Sequence, residues 1–195
     1  MDLNILQWIN QNLHGSNFVN NLFKYISYLG EKGIIWIALA LLLMCFKKTR
    51  KGGFLLLVSL GIGIVLNTFI LKPLIARPRP WTLDESFVDF MNSINLKFPT
   101  SYSMPSGHTQ IAINAAVFLT LQFKKKGLWA WIPALLISFS RVFLLAHYTT
   151  DVLVAAAEGI VIATFVYFVG GLILNKIIKN YEESKAEKQK LKENE

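Results

Sequence analysis

The chain contains 195 residues, of which 53% are hydrophobic and only 16% are charged, and its mean hydropathy is +0.43. A soluble domain carries about 25% charged residues, so this composition argues against an ordinary soluble globule and excludes a disordered chain. The net charge of +8 does not indicate nucleic-acid binding, because the basic residues cluster between apolar runs, as they do in the loops of membrane proteins. The single cysteine, Cys45, precludes an internal disulfide framework.

The N-terminal residues predict an amphipathic helix that lies at the membrane interface. Apolar residues recur there at helical spacing between polar ones: Leu3, Ile5, Leu6, Ile9 and Leu13. Residues 18–29 are apolar enough for either a short membrane span or a second interfacial segment, and the sequence leaves both open.

Five uncharged or nearly uncharged runs follow, and each predicts a membrane-spanning helix. They occupy residues 33–46, 52–71, 109–123, 127–140 and 152–175. The predicted fold is therefore an all-α, polytopic transmembrane helix bundle with five firm spans, a short sixth span and the N-terminal amphipathic helix. Residues 1–178 form the expected membrane domain, and residues 179–195, with five Lys and five Glu, form a charged cytoplasmic tail.

The basic residues predict the orientation of these spans. They lie between the first and second spans, between the third and fourth, and after the fifth: Lys47, Lys48, Arg50, Lys51, Lys124, Lys125, Lys126, Lys176 and Lys179. The positive-inside rule assigns all three places, and the C-terminus, to the cytoplasm. The protein is then a multi-pass protein of the cell membrane, and residues 73–105 and the turn near His147 lie on its extracytoplasmic face.

Three polar segments share this extracytoplasmic face, at residues 72–80, 105–108 and 140–151. Three of their cations, Lys72, Arg79 and Arg141, lie at or near membrane depth, where an ionised group is costly. They would repel one another unless an anion sat between them, and Arg and Lys both suit phosphate oxygens. The segments therefore predict a site for a multiply charged oxyanion.

The segment at residues 105–108 adds a helix N-terminus to this site. Pro105 suits the first turn of a helix, so the hydroxyl of Ser106 and the free N–H groups of Ser106, Gly107 and His108 would point outward. Such a helix start binds anions, and Gly107 lets a ligand approach the backbone closely.

Two histidines supply chemistry beyond binding. If the fifth helix begins near His147, then His147 and Asp151 share a helix face, and the carboxylate would orient the imidazole for nucleophilic attack. His108, on another helix, could protonate the leaving oxygen. The pattern predicts phosphoryl transfer to His147 followed by hydrolysis, with no metal or other cofactor required, because cations and amide dipoles neutralise the developing charge.

The three segments together resemble the signature of the type 2 phosphatidic acid phosphatase superfamily. They read Lys72-x6-Arg79-Pro80, Pro105-Ser106-Gly107-His108 and Ser140-Arg141-x5-His147-x3-Asp151. The resemblance implies that His147 is the nucleophile, Asp151 its partner and His108 the acid. It also implies phosphate binding by the remaining signature positions: Lys72, Arg79, Ser106, Gly107 and Arg141.

An active site at the bilayer surface selects amphiphilic substrates, so the expected partner is an anionic phospholipid or a polyprenyl phosphate, with no nucleic acid. Within the family, members of this length resemble undecaprenyl-diphosphate or phosphatidylglycerophosphate phosphatases. A lipid A or phosphatidate phosphatase, and a non-catalytic transporter of anionic lipids, remain as alternatives, whereas a vanadate-dependent oxidase is disfavoured. The sequence does not give the oligomeric state.

Three further features complete the sequence predictions. Residues 81–103 form the one long loop, which we expect to lie on the membrane and to gate access. Arg77 is expected to anchor the chain at the interface or to contact lipid headgroups. Glu158 is either a hydrogen-bonded helix-interface residue or part of a proton relay.

Overall fold

The computed structural model describes residues 2–193, apart from the side chains at positions 188, 190, 192 and 193. Regular secondary structure in this part of the chain is entirely helical, in agreement with the predicted all-α class. The helices are α1 (Asp2–Asn12), α2 (Asn17–Leu29), α3 (Ile34–Cys45), α4 (Arg50–Val65), α5 (Lys72–Ile75), α6 (Glu85–Ser93), α7 (Gly107–Phe123), α8 (Trp131–Phe143), α9 (Thr149–Phe165) and α10 (Gly171–Glu193). Met1 and the last two residues of the expected tail lie outside the described residues.

Helix α7 lies at the centre of the bundle and packs against α4, α8 and α9. Its buried face is rich in small residues, including Ala112, Ala115 and Ala116, which let neighbouring backbones approach closely. The approach is tightest at Gly159 of α9, where an added Cβ would lie 2.7 Å from the carbonyl oxygen of Gln110. This packing sets the starts of α7 and α9 side by side at one end of the molecule.

Among the described residues, three helical stretches are long and apolar enough to cross a membrane: Asn17–Cys45, Arg50–Thr82 and Thr149–Glu187. Helices α7 and α8 correspond to the third and fourth predicted spans and contain 17 and 13 residues. Both are shorter than the length of about 20 residues that a membrane-spanning helix usually has. Large apolar side chains cover the outside of the bundle, as a lipid-facing surface requires. Examples are Leu42, Phe69, Leu74, Leu135, Leu153, Val161 and Phe165.

Residues 18–29 lie in the first of these long apolar stretches. They belong to α2, which joins α3 within the single stretch Asn17–Cys45. The two helices meet at a kink where Lys32 and Gly33 have φ angles of 51° and 69°. The left-handed conformation favours glycine, and it ends α2 before α3 begins.

Residues 81–103 are not the loop lying on the membrane that the sequence predicts. They contain α6, whose residues Phe87 and Met91 are fully buried. These side chains pack in a cluster with Leu6 of α1 and Leu144, which follows α8. The apolar residues of this segment are therefore used in protein packing, so α1 and α6 form a cap over the end of the bundle that holds the three polar segments.

Helix α1 matches the predicted amphipathic helix, but its apolar residues divide between two faces. Leu6 and Ile9 are buried under α6, whereas Ile5 and Trp8 are exposed. At the other end of the chain, the expected tail continues as helix α10 as far as the structure describes it.

Candidate active site

Backbone hydrogen bonds tie together the three segments that the sequence singled out. The amide of Ser106 donates to the carbonyl of Asp151 at 3.2 Å, which joins the starts of α7 and α9. The amide of Ser103 donates to the carbonyl of Arg77 at 2.9 Å, which joins the loop before α7 to the segment after α5. Residues far apart in sequence thus meet at one end of the bundle.

His147 and Asp151 are adjacent, although not for the predicted reason. Helix α9 begins at Thr149, so His147 precedes the helix rather than sharing a helix face with Asp151. The Asp151 carboxylate turns back over the helix start, where its Oδ2 accepts a hydrogen bond from the Tyr148 amide at 3.0 Å. The same oxygen lies 3.4 Å from Nδ1 of His147 and accepts a hydrogen bond from the hydroxyl of Ser103.

Arg79 fixes the other side of the His147 ring. Its Nη1 lies 3.0 Å from Nε2 of His147 and donates to the carbonyl of Ala146 at 2.8 Å. Its Nε donates to the carbonyl of Ser101 at 2.8 Å. A guanidinium can only donate, so Nε2 of His147 must accept, and the ring proton belongs on Nδ1, facing Asp151. This tautomer leaves a lone pair on Nε2.

Lys72 and Arg141 complete the group of buried cations. Nζ of Lys72 donates to the carbonyl of Tyr102 at 2.7 Å, and Nη1 of Arg141 donates to the hydroxyl of Ser27 in α2. Nε of Arg141 is buried without a hydrogen-bond partner. Since buried guanidinium groups are normally paired, this arrangement leaves capacity for an anion.

The start of α7 differs in detail from the prediction. Pro105 lies before the helix, and Ser106 is its N-cap. The Ser106 amide is already used in the bond to Asp151, so the N–H groups of Gly107, His108 and Thr109 are the ones without an intrahelical acceptor. The Ser106 hydroxyl is fully buried and accepts a hydrogen bond from Thr109 at 3.2 Å.

These groups surround a cavity of about 470 Å³. Six of the eight predicted site residues line it: Lys72, Arg79, Gly107, His108, Arg141 and His147. The other two, Ser106 and Asp151, lie behind this wall and contact its members. Both imidazoles thus face one space, as the phosphoryl-transfer hypothesis requires. A cavity of about 550 Å³ lies elsewhere, beside Lys47, Lys48 and Lys51, and none of the predicted site residues lines it.

Several residues of this site carry no signal in the sequence. Ser101 and Ser103 lie in an irregular segment, yet one hydrogen-bonds Arg79 and the other Asp151. Arg77 was expected to be an anchor or a headgroup contact. Instead, its Nη1 lies 2.6 Å from Oδ1 of Asp151 and its Nη2 lies 2.9 Å from Oδ2 of Asp2, so it links α1 to the carboxylate beside His147.

The charge balance of the site favours a neutral nucleophile. Burial lowers the pKa of His147 well below its ordinary value, and the nearby cations Arg79 and Arg141 lower it further. The imidazole is therefore unprotonated near neutral pH. Within residues 2–193, the described side chains include no group of three or more His, Cys, Asp or Glu residues arranged to hold a metal ion.

The class of protein follows from comparison with known families. Residues 52–172 match the family model of the PAP2 superfamily, which covers more than half of the chain and includes all three segments of the site. The chain therefore belongs to the PAP2 superfamily, as the resemblance in its motifs implied.

Individual relatives agree with this assignment. The chain is 38% identical over 139 residues to an undecaprenyl-diphosphatase from Sulfolobus acidocaldarius, covering 69% of this chain and 63% of that protein. It is 29% identical over 154 residues to a lipid A 4'-phosphatase from Porphyromonas gingivalis, covering 76% and 65%. The alignments thus span just under two thirds of each relative's length.

A solved structure gives the same result for the fold. The chain superimposes with a TM-score of 0.69 and 26% identity on a transmembrane PAP2-type phosphatidylglycerolphosphate phosphatase from Bacillus subtilis. The match covers 88% of this chain and 85% of that one. The protein is thus an all-helical membrane protein of this family.

Proposed function

We propose that this protein is a membrane lipid phosphatase that hydrolyses a phosphate monoester or diphosphate of a lipid through a phosphohistidine intermediate. The observation that carries this proposal is the shared cavity, in which both imidazoles, His147 and His108, face the same space as three buried cations. Binding an anionic lipid would need the cations alone. A histidine oriented by a buried carboxylate, with a second histidine across the cavity, supports catalysis.

In the first step, Nε2 of His147 attacks the phosphorus atom while the bond from phosphorus to the lipid oxygen breaks. His108 donates a proton to that departing oxygen, and Asp151 stabilises the imidazolium through Nδ1. Nη1 of Arg79 lies 3.0 Å from Nε2 in the free protein, so a bound phosphate must take over this hydrogen bond. An oxygen of the bound phosphate would then accept the hydrogen bond from Arg79 that His147 accepts in the free protein.

In the second step, water attacks the phosphohistidine. The new bond from oxygen to phosphorus forms as the bond from nitrogen to phosphorus breaks, the electron pair returns to Nε2, and His108 accepts a proton from the water. The residues Lys72, Arg79 and Arg141, with the N–H groups of Gly107 and His108, would stabilise the negative charge on the phosphoryl oxygens in both steps. We propose that these groups suffice without a metal ion.

The cavity is lined by apolar as well as charged side chains, which supports a lipid substrate. Its lining includes Ile64 and Ile111 beside the charged groups. Relatives of this chain are named for undecaprenyl diphosphate and lipid A, and its structural relative for phosphatidylglycerolphosphate. We propose undecaprenyl diphosphate or phosphatidylglycerophosphate as the substrate, with lipid A and phosphatidate as the next candidates.

We further propose that the site faces the extracytoplasmic side of the cell membrane. The basic residues that separate the apolar runs lie at the ends of α4 and α7 that are remote from the site, and positive loops remain in the cytoplasm. Residues 1–178 would then form the membrane-embedded phosphatase domain, and residues 179–195 would form a charged cytoplasmic tail.

The proposal is tested by phosphate release from these four lipids in detergent, with a chelator present. We expect phosphate release from at least one lipid, and we expect His147→Ala to abolish it. The matched control is His14→Gln, because His14 lies outside the cavity, stacked on Phe90 at 3.5 Å between ring centroids. Phosphate release by the His147→Ala protein at the wild-type rate, or none by the wild-type protein on any of the four lipids, would contradict the proposal.

A further inference from the structure

The cavity extends beyond the phosphate-binding groups to a second set of polar side chains. Asn67 and Gln110 both line it and are essentially inaccessible to solvent, with 1% and 0% exposure. Both amide atoms of Gln110 and Oδ1 of Asn67 have no hydrogen-bond partner, and neither does the buried Oε1 of Glu158. Buried polar atoms are normally hydrogen-bonded, so four such atoms together indicate a ligand.

This group, which we call the polar floor, is built from three helical segments. Gln110 lies one turn along α7 from Gly107, about 4.5 Å deeper by the helix rise. Asn67 lies beside that same glycine, because an added Cβ on Gly107 would be 3.6 Å from Oδ1 of Asn67. Nδ2 of Asn67 donates to Oε2 of Glu158 at 2.8 Å, which holds the two side chains together. The floor is therefore adjacent to the proposed phosphate site.

A neighbouring residue on α7 is equally buried, but its side-chain amide is paired. Asn114, one turn further along α7, is also fully buried, but it accepts from the hydroxyl of Ser59 at 2.7 Å and donates to the carbonyl of Ser59 at 3.2 Å. Asn114 does not line the cavity. On α7, the unpaired amide thus belongs to the residue that borders the cavity, Gln110, and not to the one beyond it.

The composition of the floor defines what it can bind. Three of its four unpaired atoms are oxygens, on Asn67, Gln110 and Glu158, and one is the amide nitrogen of Gln110. A second phosphate fits this group poorly, because its oxygens accept hydrogen bonds and the floor offers a single donor group, the amide nitrogen of Gln110. An O–H group matches better, because it donates to an oxygen of the floor and accepts from Nε2 of Gln110.

We propose that the polar floor is a hydroxyl-binding subsite next to the reacting phosphate. Its occupant is either the water that hydrolyses the phosphoenzyme or a hydroxyl of the substrate's alcohol group. This proposal rests on the proposed phosphatase function and adds a specificity element to it. It assigns Gln110 and Asn67 to ligand binding, although neither belongs to the three motifs.

The test compares Gln110→Met with the wild-type protein on two lipids. Phosphatidylglycerophosphate carries a free hydroxyl beside its terminal phosphate, whereas the diacylglycerol group of phosphatidate carries none. If the substrate hydroxyl occupies the floor, kcat/KM falls about tenfold on the first lipid only, as expected for one lost hydrogen bond. If water occupies it, kcat falls on both lipids while kcat/KM, which reports the steps through phosphoenzyme formation, stays unchanged, and samples quenched in alkaline detergent contain more phosphoenzyme than the wild-type protein.

Two results would overturn the proposal: kcat and kcat/KM both unchanged on both lipids, or an equal fall on both lipids without more phosphoenzyme. Gln110→Leu removes the same polar atoms and serves if Gln110→Met does not fold. The matched control is Asn114→Leu, which removes a paired amide from the same helix and should lower thermal stability while leaving the ratio of kcat/KM between the lipids unchanged. Failure of the phosphatase function itself is distinct, because the wild-type protein would then release no phosphate from either lipid.

Discussion

Replacing Arg77 with glutamine should move the acid limb of the pH–activity profile to higher pH. Arg77 and His147 contact different oxygens of the same carboxylate, since Nη1 of Arg77 lies 2.6 Å from Oδ1 of Asp151 and Nδ1 of His147 lies 3.4 Å from Oδ2. Arg77 thereby neutralises part of the negative charge that would stabilise a protonated His147. Without this cation, Asp151 stabilises the imidazolium more strongly, and the pKa of His147 rises.

The size of the effect follows from the hydrogen bond that is lost. A hydrogen bond to a charged group contributes about 1.5–3 kcal/mol, and the lower value applies here because the Arg77 side chain is 25% exposed. A change of about 1.4 kcal/mol corresponds to about one pH unit. The other charged or titratable groups that face His147 are unchanged by the substitution: Lys72, Arg79, His108 and Arg141.

The assay is kcat/KM for phosphate release as a function of pH, because its acid limb reports the free enzyme's base. Burial and the cations hold the pKa of His147 low in the wild-type protein, so activity persists below neutral pH and is lost as His147 becomes protonated. In Arg77→Gln this loss occurs about one unit higher, whereas Arg77→Lys restores most of the wild-type profile. Titration of the substrate is common to all variants. An acid limb that stays in place, or moves to lower pH, would show that Arg77 does not set the pKa of His147 through Asp151.

Three further substitutions test other parts of the structure. Ser103→Ala removes a donor to the buried Asp151 carboxylate and should lower kcat about tenfold with little change in KM, as steady-state kinetics would measure. Leu6→Ala removes a fully buried side chain from the cap and should cost about 2–5 kcal/mol of stability, visible as a lower thermal midpoint in detergent. Gly159→Ala places a Cβ 2.7 Å from the Gln110 carbonyl and 2.9 Å from the Asn114 amide, so it should destabilise the protein by about 1–3 kcal/mol.

The sequence predicts the bundle well where hydropathy alone decides the structure. Apolar runs specify helices in a bilayer, because no other element satisfies the backbone there. The sequence did not predict the kink at Lys32 and Gly33. Two charged residues, Glu31 and Lys32, lie between residues 18–29 and 33–46, so these two runs look like independent elements. The cap was also missed, since the apolar residues of α6 suit a membrane surface as well as they suit packing against α1.

The chemistry-bearing residues were predicted because alternating helices must bring their ends to the same face. His147, His108 and the three cations follow from this rule and from the motifs. The residues that orient them, such as Ser103 and Arg77, could not be predicted, because their roles depend on where an irregular segment folds back. The pairing of His147 with Asp151 was predicted from helical spacing, yet it arises from the start of α9, where the carboxylate also caps the helix.

The central claim is that one phosphorus atom can sit beside Nε2 of His147 with the three cations around its oxygens. A structure of the detergent-solubilised protein with orthovanadate tests this directly, because vanadate has the charge and shape of phosphate and accepts a further ligand. We expect vanadium bonded to Nε2 of His147, with oxygens contacting Lys72, Arg79 and Arg141. Vanadate bound only in the lysine-lined cavity beside Lys51, with His147 still hydrogen-bonded to Arg79, would contradict it.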